Sequence, residues 1–448
     1  MDESVINKLR RDALDFFRAG IDAATPKEFI PEKINLGNEI LTVEDIAGKT
    51  TSFDLKNYNR LIVIGAGKAS TAMAKELEII LEDRITEGLV VTKYDFVDGL
   101  MKIKPLEASH PLPDLKGVKA ANALINLCKS AGENDLVINL LSGGSSSLLP
   151  YPADNISLED KIITTTLFLK SGASIKEINT IRKHISGIKG GRLAEHIYPA
   201  TLINIIISDV INDDLEVIGS GMTVPDSSTF KDCEQIIEKY ELSALLPSRA
   251  LDHIKNGIEG IVEETPKPGN GIFNRVNSFI VCNNLNALSA IKSLAETKGY
   301  ETRIVNAALD GEAKHLGKDI VKSINQFTSN KSNPRCLLFG GESRVTVKGI
   351  GLGGRNQELC LSAAIELDGK EHVVFLSGGT DGNDGPTDAA GAICDGQTIL
   401  RANQLEMDPL KFLDDNNSYN FFKKLNDLII TGPTNTNVMD LQIILQIS

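Results

Sequence analysis

Leu61-Ile62-Val63-Ile64-Gly65-Ala66-Gly67-Lys68-Ala69-Ser70 is the stretch on which the fold turns. Four successive apolar residues, three of them β-branched, read as a strand buried on both faces, as in a parallel sheet. The glycine turn ends that strand. Ala72, Met73, Leu77, Ile80 and Leu81 then recur at helical spacing. Strand, glycine loop, helix and next strand are the grammar of an α/β protein.

Outward from this unit the grammar repeats. Gly88–Thr92, Leu136–Leu141, Leu202–Ser208, Phe279–Asn283, Thr302–Val305, Cys336–Phe339 and Val373–Ser377 read as further buried strands. Ser157 with Asp160, and Ser174 with Glu177, have the spacing of helix capping boxes. The expectation is two Rossmann-like α/β domains with largely parallel sheets. The first spans residues 1–240 and the second 275–448. Residues 241–274 hold a connecting helix and a linker, whose core is Glu263–Gly271, with two prolines and two glycines.

The composition bounds the chemistry. The chain has 448 residues, a length for two or three domains at ~150 residues each. Its formal charge of −13 disfavours nucleic acid and anionic membranes as partners, because both reward basic patches. Six cysteines with no C-x-x-C exclude a local zinc ribbon and a disulfide framework. The acidic start Met1-Asp2-Glu3-Ser4 does not read as a signal peptide, and no apolar run approaches the ~20 residues of a membrane span. A cytoplasmic location is expected.

Glycine and small polar residues cluster directly after the strands, where α/β sheets bind their ligands. Gly65-Ala66-Gly67-Lys68-Ala69-Ser70 puts a lysine at a helix start beside exposed backbone N–H groups, suited to a carboxylate or phosphate. As a dinucleotide fingerprint it is incomplete: Ser70 holds the last glycine position, and the next strand ends in Thr92-Lys93 without a ribose acid. A Walker A loop fails at Ile62. Ser142, Gly143, Gly144, Ser145 and Ser146 offer a phosphate cradle. Asp209 stands at another strand end, where it could bind Mg²⁺ or accept a hydroxyl proton. Gly353 and Gly354 precede Arg355, whose fork suits phosphate. Asp381, Asp384 and Asp388 lie in a glycine loop that lacks the terminal Glu of an EF-hand. It better fits Mg²⁺ held by one or two carboxylates plus phosphates. The six histidines show no metal-ligand spacing, and no G-x-S-x-G elbow is present.

Taken in order, these loops resemble the two-domain glycerate 2-kinases, whose C-terminal half is often called the MOFRL domain. The carriers include Ile64–Ala69, His110–Asp114, Ser142–Ser146, Ser208–Val210 with Asp213 and Asp214, and Gly221–Asp226. Further carriers are Gly353–Glu358, Gly378–Gly382 with Asp384–Asp388, and Thr431–Asn437. They cover essentially the whole chain. Departures are Ser146, Met222 and Asn383, and none removes a charged group. The resemblance implies phosphorylation of D-glycerate to 2-phosphoglycerate with ATP and Mg²⁺ or another divalent cation. It implies an interdomain cleft as active site, with the last ~20 residues returning to it. Its site falls on Lys68, Asp209, Glu342, Arg355, Asp381 and Asn437, with Asp381, Glu342 and Asp384 as metal candidates and the Ser142–Ser146 loop with Gly353 and Gly354 against the nucleotide. A homodimer is among the assemblies it allows. Two other readings stand beside it: a hydroxypyruvate reductase using NAD(P)H, and a non-catalytic two-lobed ligand-binding protein.

Overall fold

A computed structural model describes residues 3–97, 99–324 and 334–447. They form two compact units, one from residues 29–281 and the other from the described parts of 1–28 and 282–448.

The unit 29–281 opens with an antiparallel meander of β1 (Ile34–Gly37), β2 (Ile40–Glu44) and β3 (Thr50–Asp54). A six-stranded sheet follows, made of β4 (Arg60–Ala66), β5 (Ile85–Lys93), β6 (Ile103–Ala108), β7 (Asp135–Leu141), β8 (Thr201–Ile207) and β9 (Val276–Cys282). Its order is β6-β5-β4-β7-β8-β9, and β6 through β8 are parallel. This is the doubly wound order, in which the chain reverses its direction of travel between β4 and β7. Every residue of β7 is buried, which explains why its sequence shows no alternation. Ile62, Ile64, Val91, Val137 and Leu202 pack against Ala121, Leu124 and Ile125 of the helix Leu115–Lys129. A second, helical core gathers Phe168, Ile178, Ile181, Phe230 and Ile254. Both expected capping boxes form, at Ser157 and at Ser174.

The stretch Glu263–Gly271 is not a free linker. Thr265 is buried, its hydroxyl donating to Asp226 at 2.9 Å, and Glu264 accepts the Phe230 N–H at 2.7 Å. Both of its ends lie within the unit 29–281. Proline and glycine mark backbone that leaves regular structure, and they do not report whether it leaves the core.

In the other unit the strands are β10 (Glu301–Glu312), β11 (Arg335–Arg344), β12 (Val373–Gly379), β13 (Gly391–Asp395), β14 (Leu428–Ile429) and β15 (Asp440–Gln446). The order is β10-β11-β15-β12-β13-β14. Only β10 and β11 pair in parallel; the pairings of β11 with β15, β15 with β12, β12 with β13 and β13 with β14 are antiparallel. The expectation of a largely parallel sheet is therefore corrected here. Two strands are reversed: β15, read from sequence as part of a returning tail, which enters the middle of the sheet against β11 and β12, and β13, which runs against β12 and β14.

The helix Glu3–Ala23 belongs to this same unit rather than to the residues that follow it in sequence. Leu9, Ala13, Phe16 and Phe17 line one helical face and are buried. On the same helix Arg10 pairs with the carboxylates of Asp395 and Asp427, and Asp12 accepts the Tyr300 hydroxyl at 2.7 Å. Among the described residues no helix is long and apolar enough to cross a membrane.

Candidate functional site

In the unit 29–281 three loops leave the carboxyl ends of adjacent parallel strands. Ala66 of β4 is in register with Leu141 of β7, and Leu141 with Ile206 of β8. Lys68, Ser142–Ser146 and Asp209 therefore emerge side by side, the first two at the point where the strand order reverses. Lys68 and Asp209 are partly exposed.

The first two loops are locked together. The Lys68 N–H donates to the Gly143 carbonyl at 2.9 Å, and the Ala69 N–H to Ser142 Oγ at 3.0 Å. Gly67 permits this approach: its φ is +141°, and a Cβ there would lie 2.0 Å from Ser142 Oγ. The backbone N–H groups expected to be exposed beside Lys68 are thus already used by the neighbouring loop. Ser142 is buried and serves as the brace, whereas Gly144 and Ser146 remain partly exposed. A Cβ on Gly144 would meet the His110 ring at 2.9 Å and Lys68 Cγ at 3.6 Å, so His110 and Lys68 flank this glycine.

In the unit holding 282–447, Arg355 opens the helix Arg355–Leu367. Its Nε donates to Asp440 Oδ2 at 2.7 Å and its Nη2 to Asp440 Oδ1 at 2.9 Å, while Nη1 pairs with Glu342 Oε1. Burial alone would lower the Arg355 guanidinium, but Asp440 and then Glu342 raise it above its ordinary value. The elements explain the geometry. Asp440 starts β15, in register with Gly341 of β11 on one side and Gly379 of β12 on the other. Glu342 follows Gly341, and Asp381 follows Gly379 by two residues. A Cβ on Gly379 would lie 3.3 Å from Asp381 Oδ1 and 3.4 Å from Asp440 Oδ1, so both carboxylates crowd this glycine. Asn437 is nearly buried just before β15, its side-chain oxygen accepting the Met439 N–H at 3.3 Å.

Asp384 has a different job from the one its loop suggests. Its two oxygens accept the N–H groups of Asn356 and Gln357 at 3.0 and 2.9 Å, which caps the Arg355 helix. Burial, with Asp440 contributing, pushes its carboxyl up to about 7 against the pull of those N–H groups. Gly353 and Gly354 are likewise taken by the chain itself: a Cβ on Gly354 would fall 2.3 Å from Asp384 Cγ, and one on Gly353 2.3 Å from Ser418 Oγ.

Among the described residues no group of three His, Cys, Asp or Glu side chains could hold a metal ion alone. The acids around Arg355 nonetheless outnumber it, and their hard oxygen donors suit Mg²⁺ bound by one or two carboxylates with phosphate completing the shell. The residue that sequence reasoning missed is Asp440. Its only local signal is an acid just before the largely apolar stretch Leu441–Leu445, which Gln442 interrupts.

Comparison with known proteins identifies the family. Residues 12–255 match a family described as a domain of unknown function, DUF4147, and residues 335–440 match the MOFRL family. A D-glycerate 2-kinase of Thermotoga maritima is 44% identical over 389 residues, 86% of this chain and 90% of that protein. A protein of Agrobacterium vitis named as a putative hydroxypyruvate reductase is 42% identical over 86% of this chain and 99% of its own length. A crystal structure of glycerate kinase from Thermotoga maritima superposes with a TM-score of 0.83 at 40% identity, covering 98% of this chain and 100% of that one.

Proposed function

The chain belongs to the glycerate 2-kinase family, and from that membership we propose its reaction in full: transfer of the γ-phosphoryl group of ATP to the 2-hydroxyl of D-glycerate, giving 2-phosphoglycerate and ADP. The observation that carries kinase over reductase is the sealed loop after β4. A nicotinamide dinucleotide would rest its pyrophosphate on the N–H groups at the start of the following helix. Here the N–H groups of Lys68 and Ala69 are spent on Gly143 and Ser142.

Phosphoryl transfer is mainly positioning and charge neutralisation. In the proposed division of roles Lys68 and Arg355 hold carboxylate or phosphate oxygens. Asp209 orients the glycerate hydroxyl and accepts its proton. Asn437 hydrogen-bonds substrate or phosphate. Glu342 and Asp381 hold Mg²⁺, which when bound neutralises phosphate charge. Asp384 supports Arg355 by capping its helix. A reducing, cytoplasmic setting is part of the proposal, supported by six buried cysteines, none of which forms a disulfide.

The test incubates the protein with D-glycerate and MgATP, beside hydroxypyruvate with NAD(P)H. ADP formed only in the presence of glycerate supports the kinase, and coupling the product to enolase without a mutase identifies 2-phosphoglycerate. Cofactor oxidation without ADP would overturn the reading. Near-normal turnover in Lys68→Ala or Arg355→Ala would sink the roles given to those residues.

A further inference from the structure

Beneath the serine loop lies a group of cations that the roles above do not use. Lys161 comes from the helix Leu158–Lys170, Arg182 from the helix Ile175–His184, and Lys189 from the turn after it. Arg182 Nη2 donates to Ser146 Oγ at 2.6 Å. Lys189 Nζ also donates to Ser146 Oγ, and reaches the Ser146 carbonyl at 3.2 Å. Lys161 Nζ reaches the Ile185 carbonyl at 3.4 Å. Lys189 is 0% exposed and Lys161 5%.

Among the described residues, no carboxylate comes within ion-pair distance of any of the three. The neighbouring Lys183 shows the usual solution, with Asp226 at 3.1 Å and Glu216 at 3.3 Å. Burying like charges together without a counter-charge is costly, and such local conflicts concentrate at functional sites. Burial, and secondly Arg182, push the Lys161 ammonium down to about 7, and Lys189 is driven well below its ordinary value by the same causes with Lys161 added. An arriving anion would relieve all three.

Ser146 is the contact point. Its oxygen already accepts from two cations, so its own proton is available only for donation. Ser220 Oγ lies 3.3 Å away and donates to Asn179, so in this arrangement the Ser146 proton goes to Ser220 over a long contact, and an incoming anion would take it over. A carboxylate would bring one negative charge to a cluster of up to three positives. A phosphate monoester brings nearly two charges and three acceptor oxygens, and the Arg182 fork suits it.

We propose that Arg182, Lys161 and Lys189, with the Ser146 hydroxyl, form a phosphate-binding site in the unit 29–281. Arg182 and Ser146 touch the phosphate, and the two buried lysines add charge from behind. Only the identity of its owner, nucleotide or phosphorylated product, rests on the kinase reading.

The experiment uses the whole chain and inorganic phosphate, with ionic strength matched by chloride. Phosphate should raise the melting temperature of the wild type. Arg182→Gln should bind it about tenfold more weakly or worse, the loss expected for one charge-assisted hydrogen bond. Lys189→Met should melt higher than wild type without phosphate, because an uncompensated buried charge is gone, and should lose the phosphate-induced rise. A purely structural lysine would do the opposite. Absence of phosphate binding in the wild type, or equal phosphate shifts in wild type and both variants, overturns the proposal. Titrations with ADP and with 2-phosphoglycerate then identify the owner: the ligand that Arg182→Gln weakens carries the phosphate, and unchanged affinity for both overturns the assignment of the site to nucleotide or product. Glycerate-dependent ADP formation is followed in parallel. Its absence would remove the kinase reading while leaving the phosphate result intact.

Discussion

Asp440 grips Arg355 through two parallel hydrogen bonds, at 2.7 and 2.9 Å, and is itself wholly buried. A forked arginine held this way presents a fixed edge, and the orientation is set by a strand that begins at the gripping residue. Glu342 takes the remaining nitrogen.

Asp440→Asn keeps the shape and removes the charge. Breaking one partner of a buried pair costs about 3–5 kcal/mol. The variant should lose stability of that order in urea denaturation. Glycerate-dependent turnover should fall about tenfold or more, with Arg355 no longer aligned. Turnover at the wild-type level would show that the Arg355 orientation is irrelevant to catalysis.

Gly354→Ala separates two explanations of the glycine pair. The backbone at Gly354 is extended, with φ at −137°, so alanine is not strained there; the obstacle is Asp384, whose Cγ lies 2.3 Å from the new Cβ. Forcing that overlap should cost about 1–3 kcal/mol and loosen the cap on the Arg355 helix. A rise in the KM for ATP at unchanged melting temperature would mean the glycine serves nucleotide approach instead.

Arg10→Met should destabilise the unit that contains residues 282–447. Asp395 and Asp427 are almost fully buried, and without Arg10 they keep only Arg401, which meets Asp427 at 2.7 Å. The expected loss is about 3–5 kcal/mol, read from chemical denaturation. A variant as stable as wild type would show that the N-terminal helix is held by its apolar face alone.

Lys161 gives stability a pH dependence of definite sign. Its folded value is pushed down to about 7, while an unfolded lysine titrates near ~10.4. Below pH 7 both states carry the proton and the full cost of a buried ammonium is present. From about pH 7 to about pH 10 the unfolded chain holds the proton more than the folded one does, so this group makes stability rise with pH. Arg182 and Lys189 crowd it with positive charge. Lys161→Met should therefore gain less stability than wild type between pH 6 and pH 9 in matched denaturation curves. Parallel curves for the two proteins would contradict this.

Much of the glycine loops was legible in the chain because it is local. Ile62–Ile64 is buried on both faces wherever it sits in a parallel sheet, and the glycines after it must turn. The same holds for Leu136–Leu141 with its serine loop. Lys161 also left a trace: it shares a buried helical face with Thr164 and Phe168, an unusual place for a lysine. What Ser142, Gly354 and Asp384 do was not legible, because each acts on a residue far away in sequence.

The sequence by itself determined the α/β class, the eight strands it named, though Thr302–Val305 proved to lie in a largely unburied edge strand, the positions of the glycine loops and the family to which their order belongs. All of these depend on hydrophobic spacing and turn chemistry within a few residues. Tertiary structure alone decided that the first helix packs with the C-terminal residues, that β15 runs antiparallel through the centre of its sheet, and that Asp440 holds Arg355. It also decided that the N–H groups of the opening glycine loop close onto Ser142 and Gly143. Each of these is a pairing between distant segments. Such pairings are chosen by which surfaces bury one another and which charges find partners, and no window of neighbouring residues contains that choice.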